Sequence, residues 1–382
     1  MMVDSISVSE LRIPFKLVFA HASAKRAATQ TILVVARARD GSIGHGEGCP
    51  REYVTGEDLA TAQDFVAKHF EEWRHSIHDT ASLLAWVDAH RSEIDWQPSA
   101  WAAVELALLD LIGHAEGSAL ESVLGLPKLA GSFRYTAVLG DARPEAFEAQ
   151  LAAYLRAGFA DFKIKLAGDA SRDRAKVRAL RAAGIAPQAV RADANNLWTD
   201  AAQAIAYLDR LDFSFWALEE PLKAGDYTGM RRVSDALRTK IVLDESMLRV
   251  DQLDAMNQDP SCWIVNVRVS KMGGLLRSLK FAHEARRYGA RLIVGAHVGE
   301  TSILTRAALA VAHGFRDCVL AQEGAFGTYL LERDVVEPAL QFGRGGMLDT
   351  APLDIAGAPG LGLDINLGFQ VHFATPARNP NT

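Results

Sequence analysis

The chain has few cysteines, and they follow no pattern that would pair them or bind zinc. Its three cysteines, Cys49, Cys262 and Cys318, lie far apart, and none belongs to a CxxC pair. This usage suggests neither a disulfide framework nor a thiolate zinc site. We therefore expect a protein of a reducing compartment.

Long apolar runs and clusters of positive charge are also missing. No uninterrupted apolar run reaches the roughly 20 residues that a membrane span requires, so we expect no membrane association. Lys and Arg number 41 against 47 Asp and Glu, a net charge of −6. No basic block could neutralise a run of phosphates, and nucleic acid is not an expected partner. The first residues include Asp4 and Glu10 and show no signal-peptide pattern, which indicates a cytoplasmic protein.

What is present is ordinary globular composition, with 49% apolar and 23% charged residues among 382. This length suggests two or three domains, or one large α/β barrel with an appendage. Residues 6–13 partly alternate, residues 31–38 are β-branched and apolar, and Asp40-Gly41 indicates a hairpin turn. Helical spacing follows in 59–70 and 101–117. We therefore predict an α+β unit over residues 1–125.

The pattern changes near residue 133 to short apolar strands that alternate with helical segments. The predicted strands are 135–139, 160–165, 189–193, 215–219, 241–244, 264–267, 291–294 and 318–321. Eight such units predict a (β/α)8 barrel over residues 126–335 better than an open doubly wound sheet. The remainder, 336–382, is rich in Gly and Pro, and we expect it to return to the first unit through a last strand at 364–370.

Polar residues recur at or just past the ends of the predicted strands, at intervals of 25 to 28 residues. They are Lys165, Asp193, Glu219, Asp244, Lys271, His297 and Glu323. Any one of them could be solvated, as polar residues at strand ends commonly are. In a closed barrel, however, these strand ends form a ring around one mouth, where the scaffold positions catalytic side chains.

Three members of this ring predict a metal site. Asp193, Glu219 and Asp244 would repel one another unless a cation lay between them. Because all the ligand atoms are oxygens, Mg²⁺ is the expected cofactor, with Mn²⁺ as a substitute, and zinc is disfavoured.

The lysines predict acid/base chemistry beside that metal. Lys163 and Lys165 are two apart, so both point to one face of a strand. Lys271 would approach the centre from the opposite side of the barrel. Two opposed bases could remove and return a proton on either face of a carbon. Abstraction of the proton α to a carboxylate becomes feasible when cations stabilise the enediolate that forms.

Five motifs in this order resemble the enolase superfamily, in particular its muconate lactonizing enzyme subgroup, within the mandelate racemase/muconate lactonizing enzyme family. The motifs are Lys163-Ile164-Lys165, Asp193-Ala194-Asn195 followed by Trp198, Leu218-Glu219-Glu220-Pro221, Leu243-Asp244-Glu245-Ser246 and Ser270-Lys271-Met272-Gly273-Gly274. The resemblance covers nearly the whole chain and implies a modified TIM barrel. Its N-terminal α+β capping domain would be completed by the C-terminal segment.

The resemblance implies roles for individual residues. Asp193, Glu219 and Asp244 would bind Mg²⁺, Lys165 and Lys271 would be the acid/base pair, and Lys163 would assist at the substrate carboxylate. Asn195, Glu220 and Glu245 would support the site from just outside the ligands. Glu220 and Glu245 could equally be adjacent polar residues without such a role.

Three departures bear on the reaction. Mandelate-racemase-like members pair a His after strand 7 with an Asp on strand 6, where this chain has Arg268. His297 thus has no obvious carboxylate to orient it, and it could be catalytic, contact substrate or only line the mouth. Subgroup members usually have Lys at the position of Arg268, for which a structural ion pair is the favoured interpretation. Dipeptide epimerases have Asp-x-Asp after strand 8, where this chain reads Ala321-Gln322-Glu323, which argues against a dipeptide substrate.

The remaining candidates are substrate contacts. Glu300 and Glu323 lie near the mouth by strand order, although Glu300 could instead cap the following helix. The family reads specificity partly through two capping-domain loops, which would contain His21 and Tyr53 here.

We therefore predict a Mg²⁺-dependent isomerase that acts on a small-molecule carboxylate. The favoured reaction is racemisation or epimerisation of a carboxylic acid or an amino acid derivative. A cycloisomerase of the muconate-lactonizing type, or an acid dehydratase, would use the same parts. A non-catalytic metal-dependent binding protein is an alternative of another class, but binding alone would not need paired bases. A homo-oligomer is left open.

Overall fold

The computed structural model describes residues 2–21, 24–52, 54–256, 259–368 and 372–373. The strands are β1 (Val3–Leu11), β2 (Pro14–His21), β3 (Ala24–Ala28), β4 (Thr31–Ala38), β5 (Ile43–Gly48), β6 (Ser132–Arg134), β7 (Ala137–Leu139), β8 (Phe162–Lys165), β9 (Val190–Asp193), β10 (Ala217–Glu219), β11 (Lys240–Leu243), β12 (Trp263–Val267), β13 (Arg291–Val294), β14 (Val319–Gln322), β15 (Met347–Asp349) and β16 (His372–Phe373). The helices are α1 (Leu59–Ser76), α2 (Thr80–Ala89), α3 (Arg91–Trp96), α4 (Pro98–Glu116), α5 (Leu120–Val123), α6 (Pro144–Arg156), α7 (Ala170–Ala182), α8 (Ala201–Asp209), α9 (Tyr227–Leu237), α10 (Leu275–Arg287) and α11 (Ser302–Gly314).

The N-terminal unit is an antiparallel sheet covered by a long buried helix. The sheet order is β16-β1-β4-β5, and helix α4 packs along β4 and β5. Alternate glycines of β5 make this close approach feasible. A Cβ on Gly44 would lie 2.1 Å from the Ala107 carbonyl oxygen, and one on Gly46 would lie 1.9 Å from that of Ala103. The helix backbone therefore rests directly on the strand.

The second unit is the predicted barrel. Its eight parallel strands run in the order β7 to β14, and the Thr136 amide donates to the Gln322 carbonyl at 2.8 Å, joining the first strand to the last. Each predicted strand overlaps an observed one, with ends that differ by at most two residues. The fold class is thus confirmed, because short apolar strands at a regular interval are what a parallel barrel requires.

The C-terminal segment returns to the first sheet, but not where we expected. The predicted strand at 364–370 is wrong in its described part, where Ile365 makes only an isolated bridge with Val336. The C-terminal strand that joins the first sheet is β16, which pairs with β1. The segment before it is held by helix α4 instead, since the Leu361 amide donates to Asp110 Oδ1 at 2.8 Å. A Cβ on Gly360 would lie 2.2 Å from the same oxygen.

An ion pair inside the protein ties barrel helix α11 to helix α5. Arg306 is fully buried and donates to both carboxylate oxygens of Glu121 at 2.7 and 2.8 Å. Its Nε donates to the Leu361 carbonyl at 2.8 Å. Arg306 thus links the barrel, the connection from the first unit and the C-terminal return.

Arg306→Met is expected to lower the free energy of unfolding by about 3–5 kcal/mol, because it leaves the buried Glu121 carboxylate without its cation. Urea unfolding followed by circular dichroism measures the change. The double variant Arg306→Met/Glu121→Leu should recover most of the loss. A single-variant cost below about 1 kcal/mol would contradict this account of the pair.

Among the described residues, no helix is long and apolar enough to cross a membrane.

Candidate active site

The C-terminal ends of the barrel strands bring the lysine pair Lys163 and Lys165 and the three predicted carboxylates into one row. Lys165 on β8 lies opposite Asp193 on β9, which in turn lies opposite Glu219 on β10. Asp244 follows the last residue of β11. The strands alternate in and out, so Lys163 points the same way as Lys165. All five of these side chains are buried.

Cations connect the three carboxylates. The Lys163 ammonium lies 2.9 Å from Glu219 Oε2 and 3.4 Å from Asp193 Oδ2. Arg268 forms an ion pair with Asp244 and lies 3.4 Å from Glu219 Oε1. Burial opposes ionisation of Asp244, yet Arg268 and Lys271 hold its pKa well below the ordinary value. The structure thus gathers the three predicted metal ligands into one charged cluster.

The donor set of this cluster fits a hard cation. Asp193, Glu219 and Asp244 offer carboxylate oxygens from three consecutive strands, and oxygen ligands are those that Mg²⁺ prefers. No described His or Cys is hydrogen-bonded or ion-paired to these three carboxylates. The residues present therefore suit Mg²⁺ better than zinc.

Lys165 lies at the edge of the cluster that faces the cavity. Its ammonium forms an ion pair with Asp193 and donates to Asn195 Oδ1 at 3.1 Å. Asn195 adopts a left-handed backbone conformation with a φ of 46°, which asparagine tolerates better than most residues. The amide predicted to support the metal site thus contacts the lysine predicted to be a base. Asn195 and Lys165 both line the cavity.

Lys271 lies elsewhere than we expected. Its ammonium is buried and donates to Asp244 Oδ1 at 2.7 Å and to the carbonyls of Asp244 and Asn266, both at 2.8 Å. These three acceptors satisfy all three of its donors. Lys271 is not among the residues that line the cavity. Its catalytic role stays a prediction, and its placement is that of a structural cation.

Arg268 lines the cavity on the side where Lys271 was expected. It is the first residue after strand β12, whereas Lys271 lies in the turn beyond it. Gly274, which ends that turn with a φ of 102°, packs against helix α4, and a Cβ there would lie 2.4 Å from Glu105 Oε1. The Gly-Gly pair thus permits close contact between the two units.

Glu323 is less available for substrate than the sequence suggested. Its carboxylate accepts from Lys163 at 2.7 Å and from Arg191 at 2.8 Å. Burial opposes its ionisation, but Lys163 and Arg191 lower the pKa of Glu323 to about 2. It lines the cavity as a carboxylate already paired with two cations.

Glu220 and Glu245 differ in environment. Glu220 accepts from the amides of Asp244 and Ser246 at 2.7 and 2.8 Å, so it shapes the turn that carries Asp244. Glu245 lines the cavity, and its buried Oε2 has no hydrogen-bond partner. Burial raises the pKa of Glu245 to about 7, and the Asp244 charge adds to the shift.

His297 and Glu300 lie together in the loop after β13. Glu300 Oε1 accepts the His297 amide at 2.6 Å and lies 3.5 Å from His297 Nδ1. His297 lines the cavity, but Glu300 does not. The sequence showed no obvious carboxylate to orient His297, and the structure places Glu300 beside it because the loop turns back at this point. Glu300 does not cap helix α11: Glu47 of the first unit accepts the Thr301 and Leu304 amides there.

The two loop candidates cannot be placed at the site. Tyr53 lies outside the described residues, and so does the side chain of His21, whose backbone ends strand β2.

The cavity at the barrel mouth measures about 820 Å³. Lys163, Lys165 and Arg268 line its charged end. Its other wall is formed by small and apolar side chains of helix α6 and of the segment after β14. These include Ala146, Ala149, Ala153, Phe326, Tyr329 and Leu330. The cavity thus offers a charged end and an apolar extension.

Sequence reasoning missed Arg191 and Asn266, which join the cluster from inside the barrel. Arg191 contacts Glu323, and Asn266 donates to Glu219 Oε1 at 3.0 Å. The signal was available in both cases, since Arg191 is two residues before Asp193 and Asn266 two before Arg268. Residues two apart on a strand share a face.

A (β/α)8 barrel with three carboxylates and a lysine pair at its mouth defines a metal-assisted acid/base enzyme. The model of the enolase C-terminal domain-like family matches residues 146–368, more than half of the chain. The chain belongs to this family, as the motifs predicted.

Several relatives of the chain are epimerases or racemases, the reaction class that we predicted. It is 26% identical to the hydrophobic dipeptide epimerase of Enterococcus faecalis, over 95% of this chain and 99% of the relative. It is 29% identical to the L-Lys-D/L-Arg epimerase of Methylococcus capsulatus, over 87% and 90%. Among solved structures, a Methylococcus capsulatus dipeptide epimerase complexed with Mg and L-Arg-D-Lys has a TM-score of 0.78. It is 28% identical, with 95% of this chain and 99% of that one covered.

Proposed function

We propose that the protein is a Mg²⁺-dependent isomerase that abstracts the proton α to a substrate carboxylate and thereby racemises or epimerises an amino acid derivative. One observation carries the proposal: Lys165 reaches both the cavity and the carboxylate cluster of Asp193, Glu219 and Asp244. When bound there, Mg²⁺ would supply positive charge to the substrate carboxylate as negative charge develops on it. Mn²⁺ could substitute.

The residues of the chain have separate tasks in this proposal. Lys165 takes the α-proton, and Asn195 orients its ammonium between turnovers. Lys163 stays charged, because its neighbouring carboxylates, Glu219 first, raise its pKa despite burial. It therefore stabilises negative charge and does not act as a base.

An N-acylated amino acid fits the site better than a dipeptide with a free ammonium group. An ammonium group needs an available carboxylate, but Glu323 is already paired with Lys163 and Arg191. Glu245 lines the cavity with an unpartnered oxygen, but burial raises the pKa of its carboxyl group to about 7, which makes it a weaker anionic partner. The apolar extension of the cavity suits an uncharged acyl group or an apolar side chain. A relative from Bacillus cereus, 24% identical over 96% of each chain, is named an N-succinyl-L-Arg/Lys racemase.

Incubation in D₂O with Mg²⁺ tests the function. The panel comprises N-succinyl and N-acetyl amino acids and dipeptides, with mass and stereochemistry followed over time. Deuterium gained at the α-carbon with inversion, fastest for N-acyl amino acids, is the expected result. Dipeptides as the better substrates would overturn the substrate class alone. No α-exchange in any compound, with Mg²⁺ shown to bind, would count against the isomerase.

The second candidate function is a reaction that needs a base on only one side of the substrate, and Arg268 favours it. A guanidinium stays protonated in proteins and cannot serve as a base. If Lys165 were the sole base, dehydration or cycloisomerisation would fit better than inversion. Loss of water or ring closure in the same assay, with hydroxy acids and muconate-like acids added, would support this candidate.

A further inference from the structure

A second group of metal-ligating side chains lies beside the cavity, apart from the three predicted Mg²⁺ ligands. Cys49, His297 and Glu300 each offer one ligand atom, and the three atoms lie within 4.8 Å of one another. Cys49 comes from the first unit, directly after β5, whereas His297 and Glu300 come from the loop after β13 of the barrel. The sequence carries no spacing signature for such a site, because its ligands come from both units of the protein.

Hydrogen bonds hold the segment around Cys49 against the loop after β13. Arg51 is buried, and its guanidinium donates to the Val298 carbonyl at 2.6 Å. Glu47 accepts from the Thr301 amide at 3.0 Å and from the Thr301 hydroxyl at 2.7 Å. Cys49 lies midway between Glu47 and Arg51 in the sequence. Its backbone is therefore attached to the barrel loop on both sides.

His297 provides the observation that points to a ligand. Only 3% of its surface is exposed, yet it lines the cavity. Neither ring nitrogen has a hydrogen-bond partner among the described residues. Buried polar groups are rarely left unpaired in proteins, and a bound ion is one of the explanations. An imidazole nitrogen is thus available to an ion that enters from the cavity.

The distances suit a tetrahedral site. With bonds of about 2.0–2.2 Å to nitrogen and oxygen and about 2.3 Å to sulfur, the ligand atoms of Zn²⁺ lie about 3.3–3.6 Å apart. His297 Nδ1 and Glu300 Oε1 are 3.5 Å apart. No gap among the three ligand atoms exceeds 4.8 Å, so a shift of about 1 Å closes the site. Three protein ligands leave the fourth position for water, as in open zinc sites.

The ligand set and its surroundings select the ion. Sulfur and imidazole nitrogen suit Zn²⁺, whereas Mg²⁺ prefers oxygen ligands. The positive charges of Arg268 and Arg51 act on His297 and oppose a further cation. A cation is therefore stable here only if Cys49 binds as the thiolate, and the thiol proton passes to the solvent. The Cys49 thiolate and the Glu300 carboxylate together balance the two charges of Zn²⁺.

We propose that Cys49, His297 and Glu300 form an inhibitory site for Zn²⁺ and similar thiophilic cations, separate from the predicted Mg²⁺ site. The bound ion joins the first unit to the barrel and occupies the cavity wall at His297. Substrate thereby loses part of the cavity, and turnover falls. Metal binding at this site is independent of the proposed function, and only the inhibitory effect rests on it.

Cobalt absorbance tests the site without turnover. The metal-stripped protein is saturated with Mg²⁺ and titrated with Co²⁺, which gives an intense near-ultraviolet charge-transfer band when a thiolate binds it. We expect one thiolate-bound Co²⁺ per chain, displaced by Zn²⁺. Cys49→Ser should remove the band and raise the Kd for Co²⁺ at least about 100-fold, beyond the effect of a residue that only supports a ligand. Cys262→Ser, at a buried cysteine before the opposite end of β12, should leave the band and the Kd unchanged.

Three results would overturn the inference. They are a band that persists in Cys49→Ser, a band that is lost in Cys262→Ser, and Co²⁺ binding without a thiolate band. Cadmium NMR on the unmodified protein serves if Cys49→Ser fails to fold. In ¹⁵N-histidine-labelled, Mg²⁺-saturated protein, the ¹¹³Cd shift should indicate one sulfur ligand, and the signal should couple to one histidine nitrogen. A cadmium signal typical of oxygen ligands alone would contradict the site.

Inhibition is measured on the Mg²⁺-saturated enzyme. Zn²⁺ is added during α-exchange of the most active panel compound in D₂O. Exchange should fall as Zn²⁺ binds, extra Mg²⁺ should not restore it, and Cys49→Ser should need at least about 100-fold more Zn²⁺ for the same loss. Recovery with extra Mg²⁺, or equal inhibition of Cys49→Ser, would mean that Zn²⁺ acts at the carboxylate cluster and would overturn the inhibitory role. Absence of exchange without Zn²⁺ would contradict the proposed function, and the inhibitory effect would fail with it, whereas the cobalt band decides the metal site by itself.

Discussion

Lys165→Met is expected to abolish the interconversion of epimers, with kcat lowered about 10²–10⁴-fold. The Lys165 ammonium connects the Asp193 carboxylate, the Asn195 amide and the cavity. Methionine keeps the unbranched shape and most of the length of the side chain but cannot carry a proton. KM should change much less than kcat, because the loss falls on a group that acts in the transition state.

A lysine at the other end of a barrel strand supplies the control. Lys240 begins β11 and is exposed, so Lys240→Met removes one lysine from the same sheet without touching the cavity. It should leave kcat within about twofold of the unmodified enzyme. Circular dichroism and Mg²⁺ titration would show whether Lys165→Met keeps its fold and metal affinity. An active, folded Lys165→Met enzyme would refute the assignment of the base.

The barrel could be predicted because its signal is local and repeated. Each strand is a short apolar run followed by a helical segment, and eight repeats at one interval leave few other topologies. Lys165, Asp193 and Glu219 are the last residues of their strands, and Asp244 follows the last residue of its own. The strand therefore fixes the direction of these side chains, and their spacing in the sequence is enough to predict that they lie close together.

The spacing of the residues does not show that Lys271 stays off the cavity wall, and the reason is physical. Lys271 lies four residues past the end of β12, within a turn whose course no interval predicts. That turn directs the Lys271 ammonium to backbone carbonyls, while Arg268, next to the strand, keeps the inward direction. Contacts between distant segments could not be predicted from the sequence either. One example is Glu47 of the first unit, which accepts the Thr301 amide at the N-terminus of helix α11.

Asp244→Asn is expected to raise the Kd for Mg²⁺ at least about 100-fold, beyond the 10–100-fold typical of residues that only support a metal ligand. The substitution keeps the shape of the side chain but removes one charge from the three-carboxylate set. It also leaves Arg268 and Lys271 with one anionic partner fewer, so that cation repulsion adds to the lost ligand. Isothermal titration calorimetry of the metal-stripped protein measures the effect.

Two matched variants show whether the loss is specific to the predicted ligand. Asp141 lines the same cavity but pairs with Arg172 and Lys176, so Asp141→Asn should change the Kd for Mg²⁺ less than about threefold. Glu245, next to Asp244 and with an unpartnered buried oxygen, is the nearest competitor for the role of ligand. Glu245→Gln should raise the Kd less than tenfold. If Glu245→Gln abolished binding and a folded Asp244→Asn did not, the third ligand would be Glu245, and the substrate carboxylate would bind closer to the turn after β11 than to Arg268.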